Sequence, residues 1–257
     1  MVFRLLFYRF HFRATESVYF PPGKAGNVLR GALGTTLRFD DVSAPGSPRP
    51  FVLRAAHLDG KRVKPGETFS LDIHVFDLRQ PLREIFVDAF SEWARSGLGP
   101  RRGRVQLVGE DAGNDIAVNL AAGPEASKCT LSFRTPTELK GNPSHTEMPF
   151  GVLFARVRDR IGALRSLYGE GPLPIDFGAL SERAGQVRTV RCDLQYQDVR
   201  RLSSRTGAVH GIGGVTGRVD YGGDLTEVLP YLRAAWWTGV GRHTVWGNGV
   251  IEVVEVE

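Results

Sequence analysis

The sequence is poor in the residues that build covalent or metal-bound frameworks. It has only two cysteines among 257 residues, Cys129 and Cys192, which is too few for a disulfide framework. It has no C-x-x-C pair and no histidine-rich ligand spacing, so structural zinc is not expected. It also has no H-E-x-x-H motif and no carboxylate cluster suited to two metal ions. The sequence therefore disfavours a metal-dependent nuclease and predicts no metal site and no other cofactor.

A targeting segment and a long apolar run are also missing. Residues 1–12 are apolar, but Arg4 and Arg9 interrupt them. They lack the cleavage pattern of a signal peptide and the length of a membrane span. We interpret this segment as a buried first strand in a cytoplasmic protein that does not contact a membrane.

Two common nucleotide-binding motifs are absent from the glycine-rich residues 239–249, which we call the terminal glycine loop. The loop reads Gly-Val-Gly-Arg-His-Thr-Val-Trp-Gly-Asn-Gly. A dinucleotide-binding fingerprint follows a strand and opens a helix, whereas this loop follows a helical pattern and precedes a strand pattern. A P-loop needs lysine after its closing glycine, and Asn248 occupies that position.

The residues that the terminal glycine loop does contain suit a polyanion. Its four glycines remove side-chain bulk where a backbone must bend sharply or lie against something large. Arg242, His243 and Trp246 add charge, a titratable ring and a stacking face. The alternative interpretation is a glycine-rich connection with a tryptophan in the core.

The net positive charge is small, but the arginines are clustered along the sequence. Lysine and arginine number 33 against 28 acidic residues, a formal net charge of +5. Arginine clusters suit phosphate contacts because the guanidinium group pairs bidentately with phosphate oxygens, although many such clusters are only solvated faces. The clusters are Arg4, Arg9 and Arg13; Arg101, Arg102 and Arg104; Arg156, Arg158, Arg160 and Arg165; and Arg200, Arg201 and Arg205.

The hydrophobic pattern indicates a duplicated α+β fold. Each half gives strand, helix, strand, strand, helix, strand, with apolar alternation in the strands and 3.6-residue spacing in the helices. We therefore predict two tandem ferredoxin-like (RRM-like) domains, residues 1–122 and 123–257, each β-α-β-β-α-β, with a linker at 109–128. Asp224 and Glu227 resemble a capping box for the last helix, which Pro230 should kink or tighten.

Several segments of the second half resemble one known family in order and spacing. They are Arg200-Arg201-Leu202-Ser203-Ser204-Arg205, His210-Gly211-Ile212-Gly213-Gly214-Val215-Thr216-Gly217, Tyr221-Gly222-Gly223-Asp224-Leu225, Leu229-Pro230 and the terminal glycine loop. On these segments the chain resembles the CRISPR-associated repeat-RNA endoribonucleases, the Cas6 family of the RAMP superfamily. Residues 21–34 and 97–104 are similar to the amino-terminal half of one branch of that family.

The resemblance implies a tandem ferredoxin-like protein that binds CRISPR repeat RNA and cuts it once per repeat without metal. In the family, the ribose 2′-hydroxyl attacks the adjacent phosphate and leaves a 2′,3′-cyclic phosphate and a 5′-hydroxyl. A base, an acid and a cation assist this step. The family's general-base histidine lies near the first helix, and residues 18–50 of this chain contain no histidine. We therefore take Lys24 and Tyr19 as the first catalytic candidates, followed by His243 and His210.

The RNA-binding prediction covers two segments, and the catalytic prediction has an alternative. The chain would instead be a catalytically inactive RNA-binding RAMP subunit of a CRISPR effector complex if the missing histidine means that it does not cut. Its partners would then include other CRISPR effector subunits as well as the RNA. The predicted RNA-binding residues are Arg200, Arg201, Ser203, Arg205, Gly239, Gly241, Arg242, His243, Gly247 and Gly249.

Overall fold

The computed structural model divides the chain into two compact units. The amino-terminal unit consists of Arg4–Ile116 and Val245–Gly247. The carboxy-terminal unit consists of Met1–Phe3, Ala117–Thr244 and Asn248–Glu257. The domain boundary that the sequence predicts, between residues 122 and 123, remains a prediction. The structure describes residues 1–37, 43–44, 46–80, 82–142, 144, 146–202 and 209–257.

The amino-terminal unit is built on a four-stranded antiparallel sheet. Its elements are strands β1 (Val2–Ala14), β2 (Val18–Tyr19), β3 (Phe51–Arg54), β4 (Arg62–Val63), β5 (Thr68–Val75) and β6 (Val105–Asn119), and helices α1 (Ala25–Thr36), α2 (Leu82–Ser91) and α3 (Trp93–Ser96). The sheet order is β3-β5-β1-β6, and β2 pairs separately with β4. With α1 after β1 and α2 after β5, this is the split β-α-β order of a ferredoxin-like domain.

Aromatic side chains form the core between this sheet and its helices. Phe10 and Phe12 of β1 contact Phe90 of α2 at ring-centroid distances of 4.9 and 5.4 Å. Trp93 of α3 is fully buried and stacks on Phe12 at 5.4 Å. These contacts explain why Phe10, Phe12 and Ala14 are buried along β1, because every second side chain there points toward the helices.

The carboxy-terminal unit repeats the same order. Its elements are strands β7 (Lys128–Thr137), β8 (Arg188–Gln197), β9 (Arg200–Leu202), β10 (Val209–Gly211), β11 (Gly214–Gly222) and β12 (Ile251–Val256), and helices α4 (Phe150–Tyr168), α5 (Phe177–Gln186) and α6 (Leu229–Thr238). The sheet order is β12-β7-β11-β8, and β9 and β10 form a separate antiparallel pair. The predicted duplication into tandem ferredoxin-like units is confirmed.

Three local predictions from the sequence are wrong. The predicted linker at 109–128 is too long, because strand β6 continues through Asn119. The second half of β6 has few apolar residues, so its sequence pattern does not indicate a strand. The predicted capping box is not one, because α6 begins only at Leu229 and Asp224 accepts a hydrogen bond from the Thr226 N–H at 3.0 Å. Pro230 lies in the first turn of α6, where its missing N–H removes no helical hydrogen bond, so it causes no kink.

One buried hydroxyl gives a stability prediction for the carboxy-terminal unit. Tyr221 is fully buried, its hydroxyl donates to the Met148 carbonyl at 2.8 Å, and burial raises its pKa. Tyr221→Phe should lower the free energy of unfolding by about 1–3 kcal/mol, because it leaves the Met148 carbonyl without its donor. Urea denaturation measures this loss.

Tyr231→Phe is the matched control. The Tyr231 ring is buried on α6, but among the described residues its hydroxyl makes no hydrogen bond. Its removal should change stability by less than about 0.5 kcal/mol. Equal losses in both variants would contradict the role given to the Tyr221 hydrogen bond.

Candidate nucleic-acid interface

Lys24 and Asp59 mark the beginning of helix α1. Lys24 is the half-buried residue preceding the helix, and its backbone N–H donates to the Pro21 carbonyl at 3.0 Å. The Asp59 carboxylate accepts the Ala25 N–H at 2.7 Å and so caps the helix from a distant segment. Burial raises the pKa of Asp59, and the hydrogen bonds from Ala25 and Lys24 offset part of that rise. The Lys24 backbone is therefore fixed at the positive end of the helix dipole.

Tyr19 lies on strand β2, five residues before Lys24. It is half-buried and pairs in register with Arg62 of β4. The Arg62 guanidinium lies 5.1 Å from the centroid of the Tyr19 ring, a cation–π contact. A fixed phenol, an ammonium group and a guanidinium thus occur within the amino-terminal unit near the start of α1.

A second glycine-rich loop, residues 97–104, packs against strand β2. Leu98 and Gly103 form an antiparallel bridge that closes this amino-terminal glycine loop. A Cβ at Gly99 would lie 2.9 Å from the Tyr19 carbonyl oxygen, and one at Gly103 would lie 2.3 Å from that of Ser17. Glycine is required because the loop backbone lies directly on the backbone of the Tyr19 segment.

The terminal glycine loop has the same helix ending as its amino-terminal counterpart. Gly239 follows α6 with φ 66° and ψ 171°, and Gly97 follows α3 with φ 68° and ψ 171°. A Cβ at Gly241 would lie 2.3 Å from the Glu138 carbonyl oxygen, and one at Gly249 would lie 1.9 Å from that of Val240. These glycines therefore meet the protein's own backbone, and a direct contact of their backbone with RNA stays a prediction.

Arg242 and His243 occupy the turn of the terminal glycine loop. Arg242 donates from its backbone to the Glu138 carbonyl at 2.9 Å and from Nη1 to the Glu138 carboxylate at 2.9 Å. Its side chain is 58% exposed, so the guanidinium keeps donors open to solvent. His243 is half-buried and has a left-handed φ of 60°, a conformation that histidine adopts more readily than β-branched residues do.

Three residues of the terminal glycine loop, Val245–Gly247, belong to the amino-terminal unit. The Arg30 guanidinium of α1 lies 4.5 Å from the Trp246 ring centroid and covers one face of the indole. A Cβ at Gly26 would lie 1.8 Å from the Trp246 carbonyl oxygen, and one at Gly247 would lie 3.0 Å from that of Leu53. Trp246 therefore packs on α1 and does not present two free stacking faces.

The strand pair β9–β10 carries the remaining predicted residues. His210 is exposed and pairs in register with Arg201, and Arg200 forms an exposed ion pair with Asp198 at 3.0 Å. Asn248 donates to the Ile212 carbonyl at 2.9 Å, which ties the terminal glycine loop to the end of this strand pair. Ser203 and Arg205 lie outside the described residues.

One arginine cluster named from the sequence is structural. Arg158 and Arg165 of α4 each have side chains only 11% exposed. Arg158 donates to the Phe177 carbonyl at 3.2 Å, and Arg165 donates to the Gly171 carbonyl at 2.6 Å. Arg160 donates to the Thr238 carbonyl at 2.9 Å. Their interpretation as a phosphate-binding cluster is wrong, because these guanidinium groups hold α4 to its neighbours.

The structure groups the predicted residues within each unit. Tyr19 on β2 and Lys24 at the start of α1 belong to the amino-terminal unit, and Arg242 and His243 share a loop that is bonded through Asn248 to Ile212, just after the strand that carries His210. Sequence reasoning missed Arg62 and Asp59, because two-residue strands and long-range caps leave no periodic signal. Within the described ranges, no three His, Cys, Asp or Glu side chains lie close enough to hold a metal ion. None of the described helices is both long and apolar enough to cross a membrane.

Comparisons with known proteins agree with this architecture. Residues 131–251 match the family model described as CRISPR-associated endoribonuclease Cas6, and residues 41–121 match a model described as an N-terminal domain. No curated protein sequence matches the chain. The family resemblance stated from the sequence is confirmed.

Solved Cas6 structures share the fold over nearly the whole chain. A Cas6 product complex has a TM-score of 0.63 and 18% identity and covers 98% of this chain and 100% of its own. Thermus thermophilus Cas6 has a TM-score of 0.61 and 17% identity, with coverage of 97% and 98%. A partial Cas6-RT-Cas1–Cas2 complex has a TM-score of 0.60 and 13% identity and covers 99% of this chain and 46% of its own.

Proposed function

We propose that this chain, a member of the Cas6 family through its carboxy-terminal domain, binds CRISPR repeat RNA and cuts it once per repeat. The observation that carries the proposal is the match of residues 131–251 to an endoribonuclease family. The shared tandem fold supports it over the rest of the chain. The partner is repeat RNA, the place of action is the cytoplasm, and the ends formed are a 2′,3′-cyclic phosphate and a 5′-hydroxyl.

The reaction requires three chemical roles and no metal in this proposal. The 2′-oxygen forms a bond to phosphorus while the bond from phosphorus to the 5′-oxygen breaks. A base takes the 2′-hydroxyl proton, an acid gives a proton to the leaving oxygen, and a cation stabilises the charge on the phosphorane. Lys24 and Tyr19 supply a cation and a phenol near the positive end of α1.

Histidines of the carboxy-terminal unit are the alternative base. His243 sits in the turn of the terminal glycine loop, and His210 is exposed on β10. We rank them below Lys24 and Tyr19, because the family keeps its catalytic group near the first helix and these histidines belong to the other unit.

Incubation of the purified chain with end-labelled repeat RNA in excess EDTA tests the proposal. We expect one cut per repeat, with a 5′ fragment whose 2′,3′-cyclic phosphate opens to a 2′- or 3′-phosphomonoester on treatment with acid. A scrambled RNA of equal length and composition is the matched control and should remain uncut. Cleavage that appears only when divalent metal is restored would contradict the metal-independent step.

A second candidate function is an RNA-binding subunit without nuclease activity. It is favoured by the absence of histidine from residues 18–50. It predicts that the chain binds repeat RNA tightly and yields no product in the same incubation. Its partners would then include other CRISPR proteins.

Arg242 provides a test of RNA binding by the terminal glycine loop. Arg242→Ala should weaken repeat-RNA binding and reduce the slope of log affinity against log salt by about 0.7, as one lost phosphate contact requires. Arg134→Ala is the matched control, because Arg134 is similarly exposed and pairs with Glu252 at 3.4 Å on the sheet. An unchanged slope for Arg242→Ala across the titration would remove Arg242 from the interface.

A further inference from the structure

Strand β2 lies beside exposed positive residues from two segments, of which the sequence singled out only Arg101 and Arg102 as members of an arginine cluster. On one side is the β4 segment, where the Phe20 N–H donates to the Lys61 carbonyl at 2.9 Å and Arg62 pairs with Tyr19. On the other side is the amino-terminal glycine loop, whose Gly99 approaches the Tyr19 carbonyl. Their exposed cations, which we call the β2 basic surface, are Lys61, Arg62, Lys64, Arg101 and Arg102.

The carboxylates nearest to this surface are already engaged by backbone donors. Glu67 accepts the Lys64 N–H at 2.8 Å, and Glu16 accepts the Arg104 N–H at 3.1 Å. Asp59 accepts the Ala25 N–H at the start of α1. Within the described part of the chain, none of the five side-chain cations forms an ion pair. The five side chains are therefore not held by a carboxylate and keep their donors available to a ligand.

Four arginines on the two sheets differ from those of this surface, because each has a carboxylate partner. On the amino-terminal sheet, Arg4 pairs with Asp115 at 3.5 Å and Arg9 pairs with Asp72 at 2.6 Å. The carboxy-terminal sheet carries the pairs Arg134–Glu252 and Arg191–Asp193. The five cations of the β2 basic surface have no ion-pair partner among the described residues, so they add more to the positive field of the protein than these paired arginines do.

The geometry points to the β2 basic surface as the site that holds the phosphodiester backbone of the RNA beside the start of α1. This inference rests on the proposed function. Arg62 lies over the Tyr19 ring, which fixes the guanidinium plane while its outer N–H donors stay open to a phosphate. Arg101 and the left-handed Arg102, at φ 51°, add two exposed cations on the neighbouring loop. Contacts of this kind position a strand without reading its sequence.

A charge-matched pair of triple variants tests the inference. The test variant is Arg62→Gln with Lys64→Gln and Arg101→Gln. The control is Arg4→Gln with Arg134→Gln and Arg191→Gln, which removes three paired cations and lowers the formal net charge from +5 by the same amount. We expect the test variant to lose about tenfold or more in repeat-RNA affinity, and its salt slope to fall by about 2, as three lost phosphate contacts require. The control should keep the wild-type slope.

The outcomes separate this inference from the proposed function. Equal losses in both triple variants overturn the inference, because net charge alone would then explain the binding. Wild-type affinity in the test variant overturns it as well. If the wild-type chain binds repeat RNA without cutting it and the test variant loses affinity, the proposed nuclease activity is wrong. The assignment of the β2 basic surface as an RNA-binding site is then still supported. Thermal melting of each variant shows whether lost binding follows from unfolding.

Discussion

Gly249→Ala is expected to destabilise the carboxy-terminal unit by more than about 3 kcal/mol. The residue has φ 72°, and a Cβ would lie 1.9 Å from the carbonyl oxygen and 3.0 Å from the nitrogen of Val240. Those atoms are backbone, and the Val240 N–H is already bonded to the Gly249 carbonyl at 2.8 Å. The Val240 atoms cannot move unless the turn opens. The strain of alanine at a positive φ and the clash of its Cβ with Val240 therefore both destabilise the variant. Urea denaturation of the variant measures the loss.

Gly185→Ala in helix α5 is the matched control for this effect. A Cβ there meets nothing within 4 Å, and alanine is the better helix former, so stability should hold or rise by up to about 1 kcal/mol. If Gly249→Ala instead keeps its unfolding free energy and loses only RNA binding, Gly249 is an RNA contact and the structural explanation fails.

Loss of catalysis in Lys24→Ala and Tyr19→Phe is the second large effect that we expect. Each variant should lower the single-turnover cleavage rate by about 10²–10⁴-fold, the usual contribution of a positioned acid or base. RNA affinity and melting temperature should stay near wild type. Lys128→Ala is the matched control, because Lys128 is bound to Glu257 at 2.7 Å in the carboxy-terminal unit.

Two histidine variants distinguish the candidate bases. We expect His210→Ala and His243→Asn to keep most of the cleavage activity that Lys24→Ala and Tyr19→Phe lose. Asparagine is chosen at position 243 because it tolerates the left-handed backbone of His243. Full activity in all four variants would exclude every catalytic assignment made for this chain.

The sequence predicted the fold where periodicity was strong. The apolar alternation of β5 and β7 and the helical spacing of α4 predicted the elements that form both cores. Helix α5 was missed because it is short and half polar, although Asp176 caps it through the Ala179 N–H at 2.9 Å. Strand β6 was cut short because its distal half is exposed and carries few apolar residues.

The candidate site was predictable only in part. The terminal glycine loop was found because its glycines are close in sequence, but the reason for Gly241 is its contact with Glu138, which lies far away in the chain. Arg62 could not be found, because its role depends on the pairing of β2 with β4 and on a ring that lies in another segment. Hydrophobic periodicity predicts individual helices and strands. Which of the many arginines lies at a binding site depends on contacts between segments that are distant in sequence, and periodicity does not predict those contacts.

Cleavage of a repeat RNA that carries a single 2′-deoxyribose at the cut junction tests the central claim most directly. The proposed reaction uses the 2′-hydroxyl as its nucleophile, so the substituted RNA should bind with the affinity of the natural repeat and remain uncut, while the natural repeat is cut in the presence of EDTA. Cleavage of the deoxy-substituted RNA at an unchanged rate would contradict this account, because the attacking oxygen would then come from water.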